Sequence, residues 1–484
     1  MSDKKSSREQ TSVDKSSTTS RRNFLAGTGA LGVTMLPAWS SDLDLFTNNT
    51  IADASEVHEA LGDDAWDLLT QLTQLNRFGG HPGEQAAADV IQDALESIGV
   101  ENVSQQHFEM LRWTRGSSQL TVLDPVERSF DTIALPYSPA AEIEAELVDV
   151  GHGTPSEIDE RDVEGKIAIA STDSPEDQRF VHRMETFGHL VDAGAAAFIF
   201  ANHIEGQLAP TGTLRFNERA EIPGLGVSHE AGAWLTDYAD QGGTARICVQ
   251  AEHETAKSQN VHGTLGPDSD EEILVLGHHD AHDIAEGAID NGAGVATVIT
   301  AARLLADIDL DLQVRVATVG SEELGLIGSD VLAESLDLDR VCAVINTDGA
   351  ASARGMVANT QSSEALGEVV NRVEERGGES ISVEPTVSPY SDHWRFLERN
   401  VPTVQLGSES DDRGRGWGHT AADTRDKVDP EHITAHARLT ALMALELTRA
   451  DPPRISDEEL CVELNEANLE PGMRATGIWP EMCE

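Results

Sequence analysis

Apolar residues recur at helical spacing between residues 56 and 101, where Trp66, Leu68, Leu69, Leu72 and Leu75 share a face. R-F-G-G-H-P-G (77–83) interrupts that pattern. Ala86, Ala87, Val90, Ile91, Leu95 and Ile98 then mark a second helix with Gly99 as its C-cap. Two runs, around 104–113 and 118–124, read as strands. From 139 to 251 the character changes. Short apolar runs (A-E-L-V-D-V, K-I-A-I-A, A-A-F-I-F-A-N, A-R-I-C-V-Q) alternate with Gly and Pro turns, and one helix is predicted near 180–193. From 252 to 450 the pattern predicts strands at 272–277, 313–319, 341–347 and 402–406. Helices are predicted at 292–306, 324–335, 362–376 and 430–449. Such alternation argues for an α/β fold, a sheet layered by helices, which binds its ligands at strand ends and the adjoining loops. No internal repeat is evident.

Length and charge narrow the picture. The 484 residues suit two or three domains. The formal net charge is −51, with only six lysines among the 34 basic residues. The acidic residues are scattered through periodic apolar segments, which argues against a long disordered acidic tail. A surface of one sign repels itself in dilute buffer, and adaptation to molar salt, where screening falls to about 3 Å, accounts for it. The same charge argues against nucleic acid and anionic membranes as partners. At the N-terminus, S-R-R-N-F-L-A-G (20–27) precedes an apolar run to Trp39 and resembles a twin-arginine export signal. The run is about 16 residues and contains Pro37, short of the ~20 that a spanning helix needs. No Cys follows it, so no stable lipid anchor is expected. The reading is export to an extracellular or cell-surface location, with an amphipathic helix as the alternative. Export also makes a bridge between Cys461 and Cys483 feasible, with free thiols as the alternative.

Five short stretches carry candidate chemistry: G-H-H-D-A-H (277–282), A-I-D-N-G-A-G (288–294), G-S-E-E-L-G-L-I-G-S (320–329), N-T-D-G (346–349) and G-H-T-A-A-D-T (418–424). Each residue alone has a bland account. His278 before Asp280 reads as a surface loop, and Asp290 as a helix N-cap. Glu322 and Glu323 read as acids in a first helical turn. Asp348 reads as a loop start. Together they offer two histidines, two aspartates and a glutamate able to hold two divalent metals, with Glu322 left to move protons. Asp280 is placed to accept from the second ring nitrogen of His278 and fix its tautomer. His279 and His282 are read as supporting the ligands from behind or as solvent-facing.

The spacings are 12 residues from His278 to Asp290, 33 to Glu323, 25 to Asp348 and 71 to His419. In this order the segments resemble the zinc aminopeptidases related to bacterial leucyl aminopeptidase and to plasma glutamate carboxypeptidase. S-D-H-W-R-F (391–396) is similar to a further segment of that family. G-K-I-A-I-A (165–170), D-A-G-A-A-A-F-I-F-A-N (192–202) and I-P-G-L-G-V-S (222–228) resemble a protease-associated domain. The resemblance covers about 60–450. It implies the zinc exopeptidase fold, a mixed sheet flanked by helices, with a small β-rich insert. The implied organisation is a leader and linker at 1–55, peptidase parts at 56–138 and 252–450, the insert at 139–251 and an acidic tail at 451–484. It also implies two Zn²⁺ per chain. His278 and Asp348 would bind one, Glu323 and His419 the other, and Asp290 both. Glu322 would be the general base toward a water shared by the metals. Many relatives place a Tyr just before the last His. Here that residue is Gly418, and Tyr390 is the candidate to supply a hydroxyl.

The implied substrates are peptides cut near a chain end. An aminopeptidase is expected on the family's habit. A carboxypeptidase or dipeptidase is the alternative, for which Arg413 and Arg415 could hold a terminal carboxylate. Their bland account is pairing with Asp411 and Asp412. A glutaminyl cyclase or an inactive binding protein on this scaffold stands further off, because none of the ligand positions is lost. Oligomeric state is not legible.

Overall fold

The computed structural model describes residues 55–176, 178–410 and 416–484, without the side chains of 55–60. The twin-arginine leader, Arg413 and Arg415 lie outside the described residues.

The strand Glu272–His278 is buried along its whole length. It lies between two parallel neighbours, Gln313–Val319 and Val341–Thr347, and Thr403–Ser408 extends the parallel set. Leu274 and Leu276 pack under Leu332, Ala333 and Phe396 on one face of the sheet. Helix Ala293–Ala306 covers the other face and is itself buried nearly all round, held between the sheet and helix Pro430–Leu447. This double cover is why the strands read as continuous apolar runs rather than alternating ones. Met356–Asn359 joins antiparallel beyond Thr403–Ser408, and Ile381–Glu384 closes that edge. The sheet is therefore mixed, as expected.

Two long strands tie this sheet to the insert. Glu101–Asp124 and Thr244–Leu265 run antiparallel, from Glu101 opposite Thr264 to Asp124 opposite Thr244. Thr244–Leu265 pairs with Gln313–Val319 near one end and with Ala141–Asp149 near the other. The two strand runs read at 104–113 and 118–124 are thus one element with a register shift between Arg115 and Ser118. Gly116 lies at that shift, where an added Cβ would stand 2.4 Å from the Gln250 carbonyl oxygen. Only glycine lets the backbones approach this closely. Beyond it, Ile167–Ser171, Ala197–Ala201 and Gly224–Val227 continue in parallel from Ala141–Asp149.

The acidic C-terminal stretch is folded. Helices Asp457–Glu466 and Glu470–Thr476 bury Leu460, Leu464, Leu469 and Met473 with Leu326, Trp394 and Leu397. Helix Glu470–Thr476 crosses helix Arg183–Asp192 of the insert at a close approach. A Cβ on Gly188 would stand 2.2 Å from the Ala475 carbonyl oxygen. Cys461 and Cys483 are joined in a disulfide. It closes a loop with a sequence separation of 22 residues, for which chain entropy gives about 3 kcal/mol. Replacing both cysteines with Ser should lower the unfolding free energy by about that amount in denaturant titrations. An unchanged midpoint would mean that the buried leucines hold this segment without the bridge.

Candidate metal centre

The parallel strands deliver the predicted residues to one edge. His278 ends the strand Glu272–His278, Glu322 and Glu323 follow Gln313–Val319, and Asp348 follows Val341–Thr347. Asp290 comes from the turn ahead of helix Ala293–Ala306. His419 comes from the loop ahead of Pro430–Leu447, with a positive φ of 58°. Glu322 and Glu323 lie in a loop before helix Ile327–Ser335, not in its first turn, so the helix dipole does not account for them.

All five predicted ligands meet. The Nε2 atom of His278 lies 3.2 Å from Asp290 Oδ1 and 3.5 Å from Asp348 Oδ1. The Nε2 atom of His419 lies 3.1 Å from Asp290 Oδ2 and 3.3 Å from Glu323 Oε2. Asp290 therefore turns one oxygen to each group. The candidate ligand atoms of His278, Asp290 and Asp348 lie within 4.8 Å of one another, as do those of Glu323, His419 and His282. Both ring nitrogens of His278 and the Oε1 atom of Glu323 are buried without a hydrogen bond. Orphaned buried polar atoms of this kind are costly, and a nitrogen–oxygen set like this one suits zinc. The residues present fit the metal that the sequence implied.

His279 and His282 are not solvent-facing. His279 is fully buried against Thr318, and burial pushes it down to about 3. His282 joins the cluster, its Nε2 2.8 Å from Glu323 Oε2.

Around these residues a second layer fixes the loops. Asp280 accepts the backbone N–H of Glu322 at 3.0 Å and of Glu323 at 3.2 Å, and stands 3.4 Å from His278 Nδ1. It thus positions the two glutamates as well as the ring. Asp423 accepts the N–H of Ile289 at 2.7 Å and of Asp290 at 3.1 Å. Ser391 donates to Asp348 Oδ2 at 2.7 Å. Buried Arg77 donates to the carbonyls of Leu72, His279, Glu286 and Gly287. Asp423 and Ser391 sit inside motifs quoted from the sequence, yet only the fold shows what they brace. Arg77 sits in a segment that reads merely as a helix break.

Glu322 lines the cleft with Asp290, Glu323 and Asp348. Burial raises its proton affinity well above the ordinary carboxylate value. The charges of Glu323, Asp392 and Asp348 add to this, against the pull of His278. Asp290 is held well below the ordinary range; burial opposes this, but the imidazoles of His278 and His419 close to its two oxygens outweigh it. The insert supplies the opposite wall with His182, Arg183, Thr213 and Phe216. Tyr390 also lines the cleft, but its hydroxyl donates to Glu185 at 2.5 Å and its ring stacks 4.0 Å from that of His182.

Residues 260–444 match the description of peptidase family M28, and residues 143–235 match the PA domain. The chain is a zinc metallopeptidase. The M28 match spans all of the metal-binding candidates, and the PA match precedes it, as the motifs implied. Leucine aminopeptidase 2 of Trichophyton equinum is 28% identical over 353 residues, 68% of each chain. Aminopeptidase YwaD of Bacillus subtilis (strain 168) is 25% identical over 406 residues, 80% of this chain and 85% of its own. The structure of an aminopeptidase from Aneurinibacillus sp. strain AM-1 superposes with a TM-score of 0.63 at 26% identity. It covers 82% of this chain and 95% of its own. A peptidase M28 precursor from Shewanella amazonensis SB2B shares the fold, with a TM-score of 0.68 at 22% identity over 83% of this chain and 98% of its own.

Glu84, on helix Pro82–Ser97, links the first helices to the loops that carry the candidate ligands. It accepts from Gly80 N–H at 2.7 Å, Ser258 Oγ at 2.8 Å and Ser321 Oγ at 2.9 Å. Burial, with the charge of Asp280, pushes its pKa up to about 8. The folded-state value lies above the unfolded one, so ionisation of Glu84 costs stability as pH rises from about 4.5 to 8. In metal-free protein, Glu84→Gln should therefore lose less stability across that range, read from denaturant midpoints at each pH. Parallel slopes for variant and wild type would remove Glu84 as the source.

Proposed function

We propose that this chain is a co-catalytic dizinc exopeptidase that removes N-terminal residues from peptides. The observation that carries the reading is Asp290, whose two oxygens face His278 and His419 in opposite directions. In this assignment His278 and Asp348 hold one zinc, Glu323 and His419 hold the other, and Asp290 is shared. When bound, such a metal pair supplies an acidified water and positive charge for the scissile carbonyl. Glu322 takes the proton of the attacking water and later delivers it to the leaving amine. Burial and neighbouring carboxylates raise its proton affinity, which strengthens the ionised carboxylate as an acceptor of that proton. Asp280 holds Glu322 at its backbone N–H, and so acts by position rather than by contact with the substrate.

The named relatives above are aminopeptidases, which supports cleavage beside a free α-ammonium group. Arg183 on the insert side favours a second reading, carboxypeptidase or dipeptidase action on a terminal carboxylate. Export by the twin-arginine route remains our proposal for location. Arg21 and Arg22 support it, and the Cys461–Cys483 bridge fits an oxidising compartment.

A small peptide panel, each peptide free, N-acetylated and C-amidated, separates the readings in molar salt with zinc. Loss of cleavage on N-acetylation alone is expected. Loss on C-amidation alone would overturn the aminopeptidase reading, and loss on both would make the enzyme a dipeptidase. Glu322→Gln should keep its zinc and lower kcat by about 10²–10⁴-fold. Near-normal turnover would remove Glu322 as the base. Dialysis against a chelator should abolish activity, and added zinc should restore it.

A further inference from the structure

His282 is an unassigned residue at the metal centre. It lies four residues beyond His278 in G-H-H-D-A-H, and its side chain is 5% exposed. Its Nε2 atom stands 2.8 Å from Glu323 Oε2, without hydrogen-bond alignment. Its ring meets that of His419 edge-on, with centroids 4.5 Å apart. Neither ring nitrogen has a hydrogen-bond partner among the described residues, although both are buried. A buried imidazole with both nitrogens unsatisfied is costly and calls for an explanation.

The position of the ring is built. On one side of it, Ala281 N–H donates to the Arg77 carbonyl at 3.2 Å. On the other, Asp283 accepts from Arg115 Nη2 at 2.6 Å and Nε at 2.9 Å. Arg115 belongs to the long strand Glu101–Asp124, so the loop is pinned to the sheet. A side chain fixed this way reaches one place, and that place holds the candidate ligand atoms of Glu323 and His419.

We infer that His282 is a third protein ligand, through Nε2, for the zinc held by Glu323 and His419. The inference rests on the dizinc reading above. It makes the two sites chemically unequal. One is His278 with Asp290 and Asp348, a single imidazole among carboxylates. The other gains one imidazole and so has two imidazoles and the Glu323 carboxylate beside the shared Asp290, and two histidines with a glutamate hold zinc in other metallopeptidases. Imidazole nitrogen suits zinc better than it suits magnesium or calcium. The second site therefore fills first and selects zinc more strongly, while the first site is the weaker and more exchangeable of the two.

Zinc-edge X-ray absorption on the fully loaded wild-type enzyme tests this without a variant. Imidazole scattering from three histidines shared over two zincs is expected. Scattering from two would overturn the inference while leaving the dizinc reading intact. A wild type that binds no zinc would instead overturn the dizinc reading itself. Competition with a chromophoric chelator adds an independent arm. Wild type should give two separated zinc affinities. His282→Gln should weaken the tighter one by at least about tenfold and keep the weaker one. An unchanged tight site in the variant would count against ligation. Denaturant unfolding of both metal-free proteins shows whether the variant still folds, and if it does not, the wild-type spectrum decides.

Discussion

Four carboxylates, on Asp290, Glu322, Glu323 and Asp348, are gathered in one cleft, and their mutual repulsion is the constraint that the surrounding structure answers. Like charges a few ångströms apart in a poorly hydrated site cost several kcal/mol unless positive charge or protons intervene. The fold supplies both. Burial favours the neutral ring of His278, yet the carboxylates of Glu322, Asp280, Asp290 and Asp348 hold its proton affinity well above the ordinary value. Glu322 leans toward its protonated form. Arg77 is fully buried beneath the loops and pushed down only to about 10, so it stays charged at neutral pH. Divalent metal would relieve the same repulsion more completely, and that is the physical link between the acidic cluster and zinc.

Backbone hydrogen bonds convert this electrostatic demand into geometry. Asp280 and Asp423 are themselves acidic, yet each spends its oxygens on the N–H groups of a loop that carries a candidate ligand. Negative charge thus organises negative charge, because the peptide N–H groups between them absorb it. The strand order completes the arrangement. The parallel neighbours bring His278, Glu323 and Asp348 to one edge although 70 residues separate the first from the last.

The sequence was most readable where burial is greatest. Glu272–His278 and Val341–Thr347 are largely apolar, and Gln313–Val319 alternates only at its start, so their ends were placed within a residue. Met356–Asn359 and Ile381–Glu384 are four-residue strands toward the sheet edge, too short for a periodic signal. The helices after 456 were hidden by their acidic faces, although Leu460 and Leu464 stand at helical spacing. At the site, the order of motifs disclosed five candidate ligands that the fold brings together, because each combines a charged residue with a strand end or a glycine turn. His282 carried no such mark. Whether a histidine in a loop faces inward depends on what anchors the loop, here Arg115, 167 residues earlier in the chain. Tyr390 failed in the opposite way. It reaches the cleft, but Glu185, which no pattern connects to it, claims its hydroxyl.

The paired strands Glu101–Asp124 and Thr244–Leu265 have one more consequence. They run unbroken from the peptidase sheet into the insert, which is fastened again where helix Glu470–Thr476 crosses its helix. A domain held by a shared ladder at one side and a clasp at the other is a fixed jaw rather than a swinging door. The gap between His182 or Phe216 and the acidic floor then acts as a gauge. The room above that floor is then set by those side chains themselves rather than by any swing of the domain that carries them.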